Sequence, residues 1–402
     1  MSDLLSVSEA LRRILDGAQL MPPEEIALAE ASDRVLAEAV AAKRTQPPFA
    51  ASAMDGYAVR ADDLAAAPNT LTMIGESAAG HGFKGKIEQG QCVRIFTGAP
   101  LPVGADSVAI QENATADGDQ ITFSRAVSRG RYVRPAGMDF HEGDALLKEG
   151  RVLDPGALSL AAAMNHPNLR VRRKPKVAII ASGDELVQPG QSPSPDQIVA
   201  SNTFGVAAIV AKAGGQALDM GIAADTTASL SDTFDQASCA DIIVTLGGAS
   251  VGDHDLVRET LEARGASLSF WKLAMRPGKP VMFGTDVNEG TVKRYIGLPG
   301  NPVSSLVCAQ VFLVPLIRAH LGLSTQMEPS EARLAIDLPA NDQREEYMRA
   351  TIEWRDGEAF VTPFDSQDSS LLTLYAKADC LMIRPAFQPA QAAGATCQIL
   401  LL

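Results

Sequence analysis

Between Lys176 and about Leu323 the chain alternates short apolar runs with amphipathic stretches, and no other feature narrows its fold as much. The runs KVAIIA, ALDMGIA, DIIVTLG, SLSFWKLA, VMFGTDV and RYIGL read as strands. Between them, NTFGVAAIVAKAGG, TASLSDTFDQAS, DHDLVRETLEARG and NPVSSLVCAQVFLVPLIRAHLG read as helices. Gly214-Gly215 and Gly265 stand where helix-ending glycines belong. Strands in regular alternation with helices predict a doubly wound, mostly parallel sheet, whose ligands sit beyond the carboxyl ends of its strands.

The rest of the chain has different textures. Its 402 residues exceed what one core holds and imply about two to four domains. From Lys43 to Asp144, Gly- and Pro-rich sequence with runs such as LTMIGES, CVRIFTG and DSVAIQE predicts a β-rich domain. Asp154 to Met164 reads as a helix, and period-two alternation returns after Pro329 as a small C-terminal β-domain. Near the N-terminus, Ser6 and Glu9 form a capping-box pattern before an amphipathic helix, and the charges there do not suit a secretory signal. The apolar stretch Val303 to Ile317 is short of the ~20 residues of a bilayer span and reads as a buried core helix.

A net charge of −13 argues against a nucleic-acid surface. It also means that an anionic substrate must be met by local cations, helix N-termini or a metal. The five cysteines form no C-x-x-C pair, so neither a structural zinc site nor a disulfide framework is expected, and a reducing cytoplasm fits.

Unusual residues gather after the strands of the alternating region. The first strand is followed by Ser182-Gly183-Asp184-Glu185, the second by Asp225, and the third by Gly247-Gly248, Ser250, Gly252, Asp253 and Asp255. The fourth is followed by Arg276-Pro277-Gly278-Lys279, with Lys272 nearby, and the last by Pro299-Gly300-Asn301-Pro302. Five loops on one rim join acids, cations and glycines whose N–H groups cradle anions. Taken singly, each has a plainer reading: a turn at Ser182–Glu185, an N-cap at Asp225 and at Asn301, solvated charge at Arg276 and Lys279. In the β-rich region, SAMDGYA presents Asp55 in a turn of small residues and RIFTGAP ends a strand at Thr97-Gly98. RPAGMD adds Asp139, and these too could be ordinary turns.

The motifs ASAMDGYAV (51–59), RIFTGAPLPVGAD (94–106), RPAGMDFHEGD (134–144), ASGDEL (181–186), GGASVGDHD (247–255), KLAMRPGKP (272–280) and GLPGNPVS (297–304) occur in the order seen in one family. Over essentially its whole length the chain resembles the molybdopterin molybdenumtransferases, the MoeA family that includes the E domain of gephyrin. The resemblance implies a multidomain α/β fold of four domains. These are a split domain from 1–42 and 145–174, the β-rich domain 43–144, a molybdopterin-binding-type sheet domain 175–325, and a C-terminal β-domain 326–402.

It implies insertion of molybdate into adenylylated molybdopterin with release of AMP, a requirement for Mg²⁺, and a homodimer. In that dimer the cleft lies between the sheet domain of one subunit and the β-rich domain of the other. The ligand then carries a pyrophosphate and arrives with Mg²⁺, which explains a loop rim holding both glycine cradles and carboxylates. By resemblance, Asp55, Thr97, Asp139, Glu185, Asp225 and Asp255 match positions tied to activity, and Lys272 and Arg276 match a cationic pair. Glu185, Asp225 and Asp255 are the implied metal ligands. Ser182, Gly183, Gly247, Gly248, Ser250, Gly252, Pro277, Gly278, Lys279, Pro299, Gly300 and Asn301 are implied for the cradle, with Arg344 and Ser369 from the C-terminal domain. The implied location is the cytoplasm, with transient contact to an adenylyltransferase and to apo-molybdoenzymes, and with neither nucleic acid nor membrane as partner. Two rival functions are adenylyl transfer to molybdopterin, which a lone sheet domain performs, and a non-enzymatic cofactor carrier or scaffold. The acids retained in the extra domains disfavour both.

Overall fold

Apolar strands that must be covered on both faces give the molecule its central layer. The computed structural model describes residues 4–247, 256–288, 291–326 and 329–402. The central six-stranded sheet comprises β1 (Lys176–Ser182), β2 (Gln216–Ala223), β3 (Ile242–Leu246), β4 (Ser267–Lys272), β5 (Pro280–Asn288) and β6 (Thr291–Leu298). Its order is β2-β1-β3-β6-β5-β4. β1 pairs in parallel with β2 and β3, and β3 with β6. β5 runs antiparallel to both β6 and β4, because it joins β6 directly instead of through a helix. β1 and β3 are buried along almost their whole length, as strands covered on both faces must be.

Helices α1 (Asn202–Lys212), α2 (Thr227–Gln236), α3 (Leu256–Ala263) and α4 (Pro302–Leu321) cover this sheet. α4 is long and apolar enough to cross a membrane, but Val307, Phe312 and Ile317 are fully buried in it, so it is a core helix. It widens into π turns at Ala309–Leu313, just ahead of Pro315. Proline lacks the N–H that a regular α turn would need there.

The chain divides into two units, Met1–Glu24 with Arg172–Leu402, and Glu25–Val171. The helix Val7–Leu15, expected within the split domain, packs against the last turns of α4 in the first unit. Ser6 caps it by accepting from Glu9 N–H, while the Glu9 side chain turns to Arg12 and Arg13 instead of closing the box. Buried Arg294 of β6 donates to the carbonyls of Ile14 and Asp16 at 2.8 and 2.7 Å, meeting the negative end of that helix. Ahead of the helix, Leu5 exchanges backbone hydrogen bonds with Lys272 and Ala274.

The C-terminal strands Ser330–Leu334, Glu345–Arg355, Glu358–Pro363, Cys380–Arg384 and Thr396–Leu401 close on themselves, since Glu345–Arg355 pairs with both Glu358–Pro363 and Cys380–Arg384. Met275–Arg276 adds to this barrel as a short edge, opposite Glu345–Glu346. The loop after β4 is thereby tied to the barrel.

In the second unit, a six-stranded sheet includes Gly56–Val59, Asn69–Ser77, Gln91–Ile95 and Ser107–Ile110. Alongside it, Pro23–Ala27 pairs with Asn168–Arg172, and Val40–Ala41 with Ala145–Leu147. Leu36, Val40, Leu147 and Val171 share one core there, with the capped helix Pro155–Ala163.

Candidate functional site

A cleft of about 980 Å³ opens at the carboxyl end of the central sheet. β1 delivers Ser182 and Glu185, β3 delivers Gly247, and β6 delivers Pro299, Gly300 and Asn301. The loop after β4 brings Arg276, Pro277, Gly278 and Lys279, and the barrel brings Arg344 and Ser369. Twelve residues named from the sequence thus meet around one space.

Positive φ accounts for Gly183, Gly247 and Gly278. Gly247 sits at φ +94°, a backbone conformation that residues with a Cβ rarely adopt. A Cβ on Gly183 would fall 2.2 Å from a carboxylate oxygen of Glu185, which folds back over it. Gly278, at φ +108°, lies on the Cys308 thiol of α4, where a Cβ would come within 2.4 Å of Sγ. Burial pushes the Cys308 pKa up, and the thiol serves as apolar packing.

Among the described residues that line the cleft are three cations, Arg276, Lys279 and Arg344, and two carboxylates, Glu185 and Asp368, in a chain of charge −13. Two of the cations are held in place. Arg344 pairs with Asp342 at 2.6 Å and holds that carboxyl below the usual range. Arg276 reaches Glu346 at 3.4 Å, and Glu346 is gripped from behind by the buried Arg384 at 3.0 Å. Lys279 makes no ion pair among the described residues.

Asn301 occupies the N-cap position of α4 without a side-chain cap bond, and its amide nitrogen donates to Ser369 Oγ at 3.0 Å. The Ser369 carbonyl instead accepts from Val303 N–H, so the barrel loop closes the end of α4. Buried Arg349 anchors that loop by donating to Asp368 O and Gln367 Oε1.

Other expected residues lie elsewhere. Asp225 is not a helix cap; Thr226 caps α2 by accepting from Ser229 N–H. Asp225 instead exchanges bonds with Asp184, its N–H donating to Asp184 Oδ1 at 3.1 Å and its Oδ2 accepting from Asp184 N–H at 3.4 Å. This latch joins the loops after β1 and β2, and Asp225 does not line the cleft. Neither does Lys272, which is exposed at the end of β4. Gly248, Ser250, Gly252, Asp253 and Asp255 lie outside the described residues. Among the described residues no three acidic, imidazole or thiol groups converge as a metal cage.

In the second unit Asp55 and Thr97 do meet. The pairing Gly56↔Ile95 sets the end of one strand beside the start of another. Asp55 Oδ1 accepts from Thr97 N–H at 2.7 Å and from Thr97 Oγ1 at 2.8 Å. These bonds, with the nearby Arg94 charge, hold the Asp55 carboxyl below its ordinary pKa. Asp139 is exposed, and its N–H donates to the Gln46 carbonyl.

Sequence reasoning missed the cleft wall from Ile198 to Thr203 and the anchors Arg349, Glu346 and Arg384. The wall follows no motif. Arg349 and Arg384 each stand inside an apolar strand pattern, and that interruption is the signal that could have found them.

Three family models match the chain in order: the MoeA N-terminal region (domain I and II) over residues 5–165, a "probable molybdopterin binding domain" over 178–319, and the MoeA C-terminal region (domain IV) over 331–402. A molybdopterin molybdenumtransferase of Haemophilus influenzae is 34% identical over 388 residues, covering 94% of each chain. The chain belongs to the molybdopterin molybdenumtransferase family. Members of the same name from Nostoc, 35% identical over 90% of this chain and 85% of theirs, and from Bacillus subtilis, 32% identical over 99% and 94%, agree. The crystal structure of a molybdopterin biosynthesis MoeA protein from Pyrococcus horikoshii superposes with a TM-score of 0.82 at 27% identity, covering 100% of both chains. The family match reaches the barrel as well as the sheet, so both walls of the cleft lie within it.

Proposed function

We propose that this chain inserts molybdate into adenylylated molybdopterin, releasing AMP and molybdenum cofactor. The observation that carries the reading is membership, over nearly the whole chain, in a family of that named activity. The cations of the cleft support it, since Arg276, Lys279 and Arg344 suit a pyrophosphate that must enter against a negative protein. Adenylyl transfer fits less well. Arg344 and Ser369, which complete the cleft, come from the barrel, a part that a lone sheet domain does not have.

Mg²⁺ is part of the proposal. Glu185 offers a carboxylate in the same cleft lining as the cations, and Asp225 lies one loop away in its latch with Asp184. Mg²⁺ usually takes one or two carboxylates together with substrate phosphates and water, so this oxygen set fits it without a complete protein cage. The bound ion would supply charge neutralisation between phosphate oxygens. The chain's own part is to orient the pyrophosphate through Arg276 and Lys279, and to present Asp55 in its ionised form. A cytoplasmic homodimer, with Asp55 of one subunit serving the cleft of the other, and transient contact with an adenylyltransferase and apo-molybdoenzymes complete the proposal.

The test combines purified protein, adenylylated molybdopterin, molybdate and Mg²⁺, and follows AMP. Release should need both molybdate and the divalent ion. AMP release without molybdate, or undiminished turnover in excess chelator, would overturn the reading.

A further inference from the structure

β4 is an outer strand of the central sheet, so one of its edges faces away from β5, and the loop that carries Arg276 and Lys279 leaves from its end. Leu5 covers that edge where the loop begins, in a parallel bridge with Leu273. Leu5 N–H donates to the Lys272 carbonyl at 3.0 Å, and Ala274 N–H donates to the Leu5 carbonyl at 2.8 Å. Across the loop, Leu273 N–H donates to the Lys279 carbonyl at 2.7 Å, and Glu345 N–H to the Ala274 carbonyl at 2.8 Å. The base of the loop is therefore fixed on both sides. Lys279 makes no ion pair among the described residues, so the backbone that carries it sets where its charge stands.

Leu5 owes its place to the helix that follows it, Val7–Leu15, which buries Val7, Ala10 and Ile14. Beyond that helix the chain is gripped twice more. Arg294, 1% exposed, gives both terminal nitrogens to the carbonyls of Ile14 and Asp16. His320, near the end of α4, donates from Nδ1 to the Gln19 carbonyl at 2.6 Å, and Met21 N–H donates to the His320 carbonyl at 2.8 Å. Arg294 has no salt bridge among the described residues, and its Nε is buried without a partner. A guanidinium buried against neutral carbonyls is a costly arrangement, and what it secures is the position of this segment. One continuous stretch thus runs from the far end of α4 to the first residues of the cationic loop.

We propose that residues 5–21 are a brace that positions the cationic loop, with Leu5 and Arg294 as positioning residues. Neither lines the cleft, and both act on the ligand through Arg276 and Lys279. This rests on the reading that those two cations take the pyrophosphate of adenylylated molybdopterin. Leu5→Pro deletes the N–H that Lys272 accepts from, Arg294→Met frees the end of the helix, and Leu5→Ala keeps both backbone bonds of Leu5. Two measurements on the full chain test the brace: hydrogen exchange resolved to the Ala274 amide, and calorimetry with adenylylated molybdopterin in the absence of molybdate. In Leu5→Pro and Arg294→Met, Ala274 should exchange about ten-fold faster or more, while amides of β1 and β3 keep their protection. Both variants should raise Kd by about five- to fifty-fold, and Leu5→Ala should restore it to within about two-fold of wild type. If Arg294→Met unfolds, Leu5→Pro alone decides. Wild-type affinity in folded Leu5→Pro, an equal loss in Leu5→Ala, unchanged exchange at Ala274, or a loss of protection spread through β1 and β3 would each overturn the brace. A wild type that neither binds the ligand nor releases AMP would instead refute the proposed reaction, and the Ala274 exchange would then decide the brace by itself.

Discussion

Asp55 and Glu346 are both carboxylates fixed by hydrogen bonds, but their surroundings differ in kind. Asp55 is half-buried on a turn between strands and is held by both donors of one neighbour, Thr97. Glu346 is nearly buried between Arg276 and Arg384, beneath a cleft built from four loops and a barrel edge. The first arrangement keeps a charge available to solvent and substrate. The second spends a charge on keeping another side chain in place. Chemistry at the turn should therefore depend on one oxygen and its ionisation, whereas binding in the cleft is spread over several groups. That contrast can be broken by experiment.

The largest effect should come from Asp55→Asn. The amide oxygen can still accept from Thr97 N–H and Oγ1, so the turn should persist while the charge is lost. Turnover should fall by about 10²–10⁴, the usual worth of a positioned acid–base group, with adenylylated molybdopterin bound nearly as tightly as before. Calorimetry and AMP release measured side by side would decide. A matching loss of affinity would make Asp55 a binding group and collapse the contrast.

Lys272→Ala sharpens the other side. Lys272 lies outside the cleft lining, next to the loop that carries Arg276 and Lys279. If it contacts the ligand, removing one charge-assisted bond worth about 1.5–3 kcal/mol should raise Kd by roughly 10- to 150-fold. If Lys272 serves only the backbone contacts of Leu5, which its side chain does not make, affinity should be unchanged.

A fourfold effect tests how the two regions combine. Homodimers of Asp55→Asn and of Lys272→Ala should each be nearly inactive under subsaturating substrate. If each site takes Asp55 from one subunit and Lys272 from the other, refolding the two together makes about half the dimers mixed, and one site in each mixed dimer is intact. Activity should return to about a quarter of wild type. With mixed dimers verified by mass spectrometry, no recovery would place both residues in one subunit's own site.

How far the sequence reveals these regions depends on what each is made of. The central sheet is legible because burial on both faces writes apolar strands between amphipathic helices, and the rim loops follow from the strand ends. The Asp55–Thr97 contact is not legible, since it depends on the pairing of Gly56 with Ile95 some forty positions away. The roles of Asp225 and Asn301 misled because a side chain at a helix start can cap it or bond elsewhere. Here the Asp225 carboxylate accepts from Asp184 N–H and the Asn301 amide donates to Ser369. The pairing of Met275–Arg276 with the barrel, which brings Glu346 and Arg384 under the cationic loop, has no local signal at all, because its partners lie far along the chain.

The smallest expected effect concerns the ionisation on which the Asp55 role depends. Its pKa is lowered first by the Thr97 N–H, then by the Thr97 hydroxyl, with Arg94 adding to both. A group depressed in the folded state contributes stability above its unfolded pKa of about 3.9 and loses it as pH falls through the lower folded value. Asp55 should therefore stay ionised throughout the neutral and mildly acidic range, and any loss of activity near pH 5–6 must come from another group. Thr97→Val removes the hydroxyl donor but keeps the N–H, so the carboxyl should move only part of the way back toward its ordinary value. Carbon-detected NMR titration of the Asp55 carboxyl in both proteins measures this directly. An Asp55 that titrates at or above the ordinary aspartate value, or that does not respond to Thr97→Val, would mean that Thr97 shapes the turn without tuning the charge.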